Sequence, residues 1–418
     1  MPAVSLPLEL LQEIAKYLID DHASLFNAAL VSRSWARSFI DALWRQPHAE
    51  ALLSPAIRSP RSGRRQFYTS KIKVFAFSRY QETKKAHCLE FPNLTSLTVL
   101  LGFDWKAIEG CLQHNLATLI YLTDREKDCD NEGDFINAIG VRCPELRYLS
   151  LDLNYHRCGP ADLIALFEAC TKLGTIELSW GQDVHEPDHD VVDFDVLLHL
   201  LSRQKHLKHL RLGDYWLRPK IAHRLLMALS SPFPHSKTSG SGGDSQPVTN
   251  SAHITTSLQT LHIGLAGDTE DSNSPSFSLI ARLQNLTSLT VQFKGGRHNN
   301  DISGIIALRQ LQNLEELYVW PAFEDIWLVA TEEERISFFS AFPRLRICEL
   351  VGFPEFTMTD LVALGQASRH LVKLRLPYRD STYEINLFDL DQIEDVLFPE
   401  LQGFDLGGLK PLDFESTR

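Results

Sequence analysis

One short pattern, apolar-x-x-apolar-x-apolar, recurs after residue 70 and constrains the fold more than any other feature of the chain. Its twelve instances are Ile72/Phe75/Phe77, Leu94/Leu97/Val99, Leu116/Leu119/Tyr121, Leu146/Leu149/Leu151, Leu173/Ile176/Leu178, Leu207/Leu210/Leu212, Leu258/Leu261/Ile263, Leu286/Leu289/Val291, Leu314/Leu317/Val319, Leu345/Cys348/Leu350, Leu371/Leu374/Leu376 and Leu401/Phe404/Leu406. Successive starts lie 22, 22, 30, 27, 34, 51, 28, 28, 31, 26 and 30 residues apart. The last two apolar positions of each instance flank one residue, which is the alternation of a strand with one buried face. Helical patterns fall between them, as in Asp162–Phe167, Ile221–Leu229 and Thr359–Leu364. A unit this small cannot bury its own apolar face, so each must stack on its neighbours. Phe91-Pro92, Cys143-Pro144, Phe342-Pro343 and Phe398-Pro399 precede four of the strands. A proline there stops the preceding helix.

A strand and a helix repeated at this period resemble a leucine-rich repeat solenoid. The resemblance implies an α/β fold over residues 72–418, with a curved parallel sheet inside and helices outside. The asparagine usual after the third apolar position is mostly missing, so irregular turns are expected. The 51-residue spacing holds an insertion, residues 231–257, rich in Ser, Gly, Pro and Thr. Its composition predicts a disordered loop leaving the solenoid at a turn. The residues at and beside the outward slot of each strand vary sharply along the array. Tyr148, Glu177, His209, Arg211, His262, Tyr318, Trp320, Glu349 and Arg375 form the expected binding set on the concave face. Aromatics beside charges are the composition of interaction hot spots.

The front of the chain differs. Residues 6–44 read as three short amphipathic helices, opened by Leu6-Pro7, where proline suits the first helical turn. Leu8, Leu10, Leu11, Ile14, Ala15, Tyr17 and Leu18 cover roughly half of the first helix, wider than the single stripe one core requires. The surplus predicts a face for a partner chain. The ordered residues Leu6, Pro7, Glu9, Ile14, Leu18, Leu30, Val31, Arg33, Trp35, Leu43 and Trp44 resemble the F-box motif, with Ser32 where many members carry cysteine. The expected organisation is an F-box over residues 1–50, a basic linker over 51–71 and the repeats beyond. The resemblance implies docking on the Skp adaptor of a Skp–cullin–F-box ubiquitin ligase through Leu6, Pro7, Leu10, Ile14, Leu30 and Trp35. The whole chain then reads as a non-catalytic substrate receptor, with the repeats binding a protein substrate and no cofactor. A scaffold without ubiquitin transfer and a metal-dependent hydrolase are the alternatives.

The hydrolase reading rests on His185-Glu186-Pro187-Asp188-His189, which matches H-E-x-x-H. That signature needs a helix to place both histidines on one face, and Pro187 opposes one at a cost of ~3 kcal/mol. No phosphate-binding glycine loop is present, because Gly240, Gly242 and Gly243 lie in the low-complexity insertion. Net charge is −12, with +8 in residues 51–85, −2 in residues 1–50 and −18 in the rest. So acidic a body argues against nucleic acid as a partner. The basic run, including Arg58, Arg61, Arg64, Arg65, Lys71 and Lys73, reads as a solvated linker, with an anionic-partner site as the other possibility. No run of about 18 apolar residues exists, so no membrane span is expected. Seven cysteines without paired spacing fit a reduced intracellular compartment, cytoplasmic or nuclear. Asn93-Leu94-Thr95 and Asn285-Leu286-Thr287 match the glycosylation pattern but open repeat strands, which argues against modification.

Overall fold

In the computed structural model the apolar pattern becomes parallel strands connected by helices. The structure describes residues 6–52, 64–86, 89–100, 105–122, 132–153, 160–180, 200–201, 204–217, 219–230, 257–266, 274–294, 303–321, 330–351, 356–376 and 396–405. The chain divides into two units, Met1–Leu173 and Gly174–Arg418.

The first unit begins with three helices, α1 (Leu8–Tyr17), α2 (His22–Ala29) and α3 (Arg33–Leu43). Pro7 occupies the N-cap position of α1. The Asp21 carboxylate accepts the Ser24 backbone N–H at 3.0 Å and caps α2. The Ser32 hydroxyl accepts the Trp35 N–H at 3.3 Å and caps α3. Each cap satisfies a donor that the helix itself leaves open. Leu11, Ala15, Leu25 and Phe39 form the core between the helices, with Leu18, Trp35 and Leu43 partly buried against it. Two short helices follow, α4 (Ala49–Leu52) and α5 (Arg64–Thr69). Part of the expected linker is therefore ordered, and the Tyr68 ring lies 4.4 Å from that of Trp44.

The repeats of this unit run β1 (Val74–Phe77), α6 (Tyr80–Ala86), β2 (Ser96–Leu100), α7 (Trp105–Ile108), β3 (Thr118–Leu122), α8 (Glu132–Arg142), β4 (Tyr148–Leu153) and α9 (Pro160–Ala169). The four strands pair in parallel and in chain order, aligning Phe75 with Leu97, Leu119 and Leu149. All four are buried. The Arg45 carbonyl accepts the N–H groups of Lys73 at 2.9 Å and Val74 at 3.0 Å, which ties the helices to the start of β1.

The second unit continues with β5 (Thr175–Trp180), β6 (His209–Leu217), α10 (Pro219–Ser230), β7 (Thr260–Ala266), α11 (Ser274–Ile280), β8 (Ser288–Lys294), a 3-10 helix over Ser303–Gln310, β9 (Glu316–Pro321), α12 (Glu332–Phe339), β10 (Ile347–Leu350), α13 (Met358–Ala367), β11 (Lys373–Arg375) and β12 (Gly403–Asp405). These strands are also parallel and in sequence order. One row crosses all eight: Ile176, Leu210, Leu261, Leu289, Leu317, Cys348, Leu374 and Phe404. The first seven are buried, whereas Phe404 is 44% exposed. Phe404 departs from the core role its pattern position implies, because β12 has a strand neighbour on one side only among the described residues. Both units are thus stacked leucine-rich repeats, the α/β class the pattern predicts.

The turns are held by a device the pattern did not reveal. The Asn93, Asn115 and Asn313 amides, each just before a strand's first leucine, donate to the carbonyls of Ser70 (2.6 Å), Pro92 (3.3 Å) and Gln284 (3.0 Å). The Thr95 and Thr287 hydroxyls donate to Lys73 O at 3.0 Å and Gln259 O at 3.2 Å. Polar side chains ahead of the strand thereby pair backbone carbonyls one repeat back, as buried or bent backbone requires. The glycosylation-like tripeptides supply three of these donors. The insertion at residues 231–257 lies outside the described residues except for Ser257.

Candidate interaction surfaces

The helical bundle of the first unit leaves much apolar surface uncovered. Leu10, Ile14 and Tyr17 lie at helical spacing on one face of α1, away from Leu11 and Ala15. Leu10 is 50% exposed and Leu11 only 1%. Leu6, Leu8, Phe26, Leu30 and Val31 are exposed as well. Eight of the fourteen exposed large hydrophobics among the described residues therefore fall within residues 6–31. Of the expected docking residues, Leu6, Pro7, Leu10, Ile14 and Leu30 are exposed. Trp35 is half-buried and stacks on Phe39, with centroids 5.3 Å apart and planes 8° from parallel. Much of its ring therefore belongs to the bundle core. Leu8, Tyr17, Phe26 and Val31 were absent from the expected set. The over-wide apolar arc of the first helix was the signal for Leu8 and Tyr17.

In the second unit the strand face away from the core carries a polar row. Parallel register aligns Glu177, Arg211, His262, Thr290, Tyr318, Glu349, Arg375 and Asp405, one from each of β5 to β12. A second row, two residues earlier in each strand, runs Thr175, His209, Thr260, Ser288, Glu316, Ile347, Lys373 and Gly403. Eight of the nine expected concave-face residues thus lie on this unit, and Tyr148 lies on β4 of the first. Seven of the eight fall in the two rows, with Trp320 two positions beyond Tyr318.

The rows are cross-linked. His209 Nδ1 and the Thr260 hydroxyl share a hydrogen bond of 2.9 Å, and the Ser288 hydroxyl donates to Glu316 at 2.9 Å. Arg375 reaches Glu349 through Nη1 at 2.8 Å and Asp405 through Nε at 3.1 Å. Lys373 Nζ also approaches Glu349, at 3.4 Å. These cations account for a carboxylate that is only 4% exposed on an outward-facing strand position. Burial, with the Glu316 and Glu349 charges, raises the Tyr318 phenol above its usual range. The Trp320 ring lies 5.7 Å from that of Tyr318, and its indole N–H has no hydrogen-bond partner among the described residues. The arrangement is one of fixed, oriented polar groups beside aromatic rings.

The remaining sequence signals resolve differently. The run His185–His189 lies outside the described residues. Cys111, Cys143, Cys170 and Cys348 are buried and unpaired as disulfides. Desolvation pushes the Cys143, Cys170 and Cys348 thiols up to about 12, the opposite of nucleophile activation. Among the described residues, no helix is long and apolar enough to cross a membrane.

Comparison with known proteins places the helical unit. Residues 3–50 match the F-box-like family model. No curated protein sequence matches the chain. Among solved structures, the yeast Rad7 and Elc1 complex superposes at 13% identity, covering 96% of this chain and 93% of that one, with a TM-score of 0.45. The leucine-rich repeat-containing protein LegL7 from Legionella pneumophila superposes at 13% identity, covering 70% and 88%, with a TM-score of 0.34. The TLR13–ssRNA13 complex gives 15% identity, coverage of 81% and 53%, and a TM-score of 0.35. At TM-scores this low, none of the three bears on function.

Proposed function

From an F-box-like unit joined to leucine-rich repeats, we propose that the chain is a substrate-recognition subunit of a Skp–cullin–F-box type ubiquitin ligase. The observation that supports it most is the concentration of exposed large hydrophobics within residues 6–31. Bare apolar surface of this kind on a soluble chain marks an interaction site. In this reading Leu6, Pro7, Leu10, Ile14 and Leu30, with the open edge of Trp35, contact a Skp-type adaptor. The adaptor links the chain to a cullin. The polar rows of the second unit, with Trp320, hold a protein substrate.

The chain needs no active site for this role. It supplies proximity, raising the effective concentration of a substrate lysine near a charged ubiquitin-conjugating enzyme. Such a ligase works inside the cell, in keeping with reduced cysteines. The test is co-purification of the full chain with a Skp-type adaptor. Leu10→Asp should abolish capture while leaving the helical content of the chain unchanged. Capture of the variant at the wild-type level would refute the docking face. Tyr318→Ala with Trp320→Ala should keep the adaptor but lose substrate neighbours in proximity labelling.

A further inference from the structure

Where the three-helix bundle meets the first repeats, the first unit holds a cavity of about 390 Å³. Four cations line it, Lys16, Arg45, Lys71 and Lys73, against one carboxylate, Asp41. Ser38 also lines it. Its hydroxyl is buried and has no hydrogen-bond partner among the described residues. The hydroxyl has almost no exposed surface, so Ser38 shapes the cavity wall and the cations supply the contacts. We propose that this cavity is a binding site for a small phosphate-bearing anion.

The cations are available to such a ligand to different degrees. Arg45 and Lys73 are exposed and make no ion pair among the described residues. Lys16 pairs with Glu13 at 2.6 Å and Lys71 with Asp41 at 2.9 Å. The Lys16 pair is largely solvated and exchanges at little cost, while Lys71 is partly buried and also lies over the Phe67 ring. A phosphate competes well for them, because charge-assisted hydrogen bonds to several cations act together. The frame is already set. Arg45 and Lys73 are joined through the Arg45 carbonyl, which fixes the spacing of their backbones on the cavity wall. The volume falls in the usual range for small-ligand pockets, about 300–1,000 Å³. Lys71 and Lys73 belong to the basic run that read as a solvated linker, and the fold converts part of that run into one wall of a cavity. The site uses none of the exposed apolar residues assigned to the adaptor, so the two readings stand or fall separately.

A soluble phosphate compound and a lipid headgroup share this chemistry, and two arms separate them. The first titrates the full chain with inorganic pyrophosphate by calorimetry at constant ionic strength. The second measures co-sedimentation with phosphatidylcholine vesicles that carry a phosphatidylinositol bisphosphate. Saturable pyrophosphate binding identifies a soluble ligand, and capture by the vesicles alone identifies the headgroup. In whichever arm binds, Arg45→Ala with Lys73→Ala should weaken affinity by about tenfold or more. Ser38→Ala, whose hydroxyl is shielded from the cavity, should leave it nearly unchanged. The paired change Lys205→Ala with Lys208→Ala, at exposed positions of the second unit, should leave it unchanged. Leu10→Asp should likewise leave it unchanged. Absence of binding in both arms would overturn the proposal, as would equal losses from the cavity pair and the remote pair. The cavity pair alters exposed side chains only, and an unchanged thermal melt will show that the variant is folded.

Discussion

Asp360 provides the sharpest test of how neighbouring repeats are joined in the second unit. It is the third residue of α13, and its carboxylate is fully buried. Oδ2 accepts the Thr357 N–H at 2.9 Å, the Thr357 hydroxyl at 3.0 Å and Arg335 Nε at 3.2 Å. Arg335 is itself buried on α12, where Nη1 donates to the Ala330 carbonyl at 3.2 Å. One carboxylate thus caps its own helix and pairs with the helix of the previous repeat. Asp360→Asn keeps the shape but removes the charge opposite Arg335. Breaking a buried pair from one side costs about 3–5 kcal/mol. Thr357→Ala, which loses the cap and the hydroxyl's hydrogen bond to the carboxylate but keeps the Arg335 pair, should cost less, about 1–2 kcal/mol. When Arg335→Met is combined with Asp360→Asn, the cation is gone, and the two penalties should fall short of additivity by about 1–3 kcal/mol. Urea unfolding followed by far-ultraviolet circular dichroism measures the wild type and four variants, with Arg335→Met alone completing the cycle. A loss below about 1 kcal/mol for Asp360→Asn, or full additivity in the pair, would refute the argument.

Three further outcomes follow from single sites. Hydrogen bonds from the Ser24 side chain and then its backbone hold the Asp21 carboxyl below its usual range. A depressed folded-state pKa stabilises above the unfolded value and is lost as pH falls through the folded one. Asp21→Ala should therefore lower the melting temperature at neutral pH, and the gap should close as the solution is acidified below the ordinary aspartate range. The thiols of Cys143, Cys170 and Cys348 should resist alkylation at mildly alkaline pH until the chain unfolds, as peptide mass mapping of the labelled protein will show. At Gly365 in α13, an added Cβ would sit 2.7 Å from the Leu397 Cβ. Gly365→Ala should then destabilise the chain by about 1–3 kcal/mol in the same urea assay, although alanine favours helix.

The strands were readable because burial dictates their pattern. Leu94, Leu97 and Val99 are all fully buried, and a one-residue register slip would turn Leu97 and Val99 to water. Helix α5 was hidden because Arg64–Thr69 is short and charged, and its Tyr68 contact with Trp44 joins residues far apart in sequence. The turn donors Asn93, Asn115 and Asn313 were missed because they precede the strand rather than follow it. For the outward strand face of the second unit, alternation named the residue types but not their pairing. The contacts of Arg375 with Glu349 and Asp405 span 26 and 30 residues, and only the parallel register sets them. Trp35 shows the reverse limit. Motif position assigned it to a partner, while its stacking on Phe39 depends on how α3 packs.

The central claim is that the apolar face of α1 and α2 is covered by an adaptor while the strand face of the second unit stays open for a substrate. Amide hydrogen exchange on the full chain, with and without a Skp-type adaptor, tests it most directly. The account predicts slowed exchange in peptides spanning residues 6–17 and 26–31, with no change in β5 to β12. Unchanged exchange across α1 and α2, or protection confined to the strands of the second unit, would contradict it.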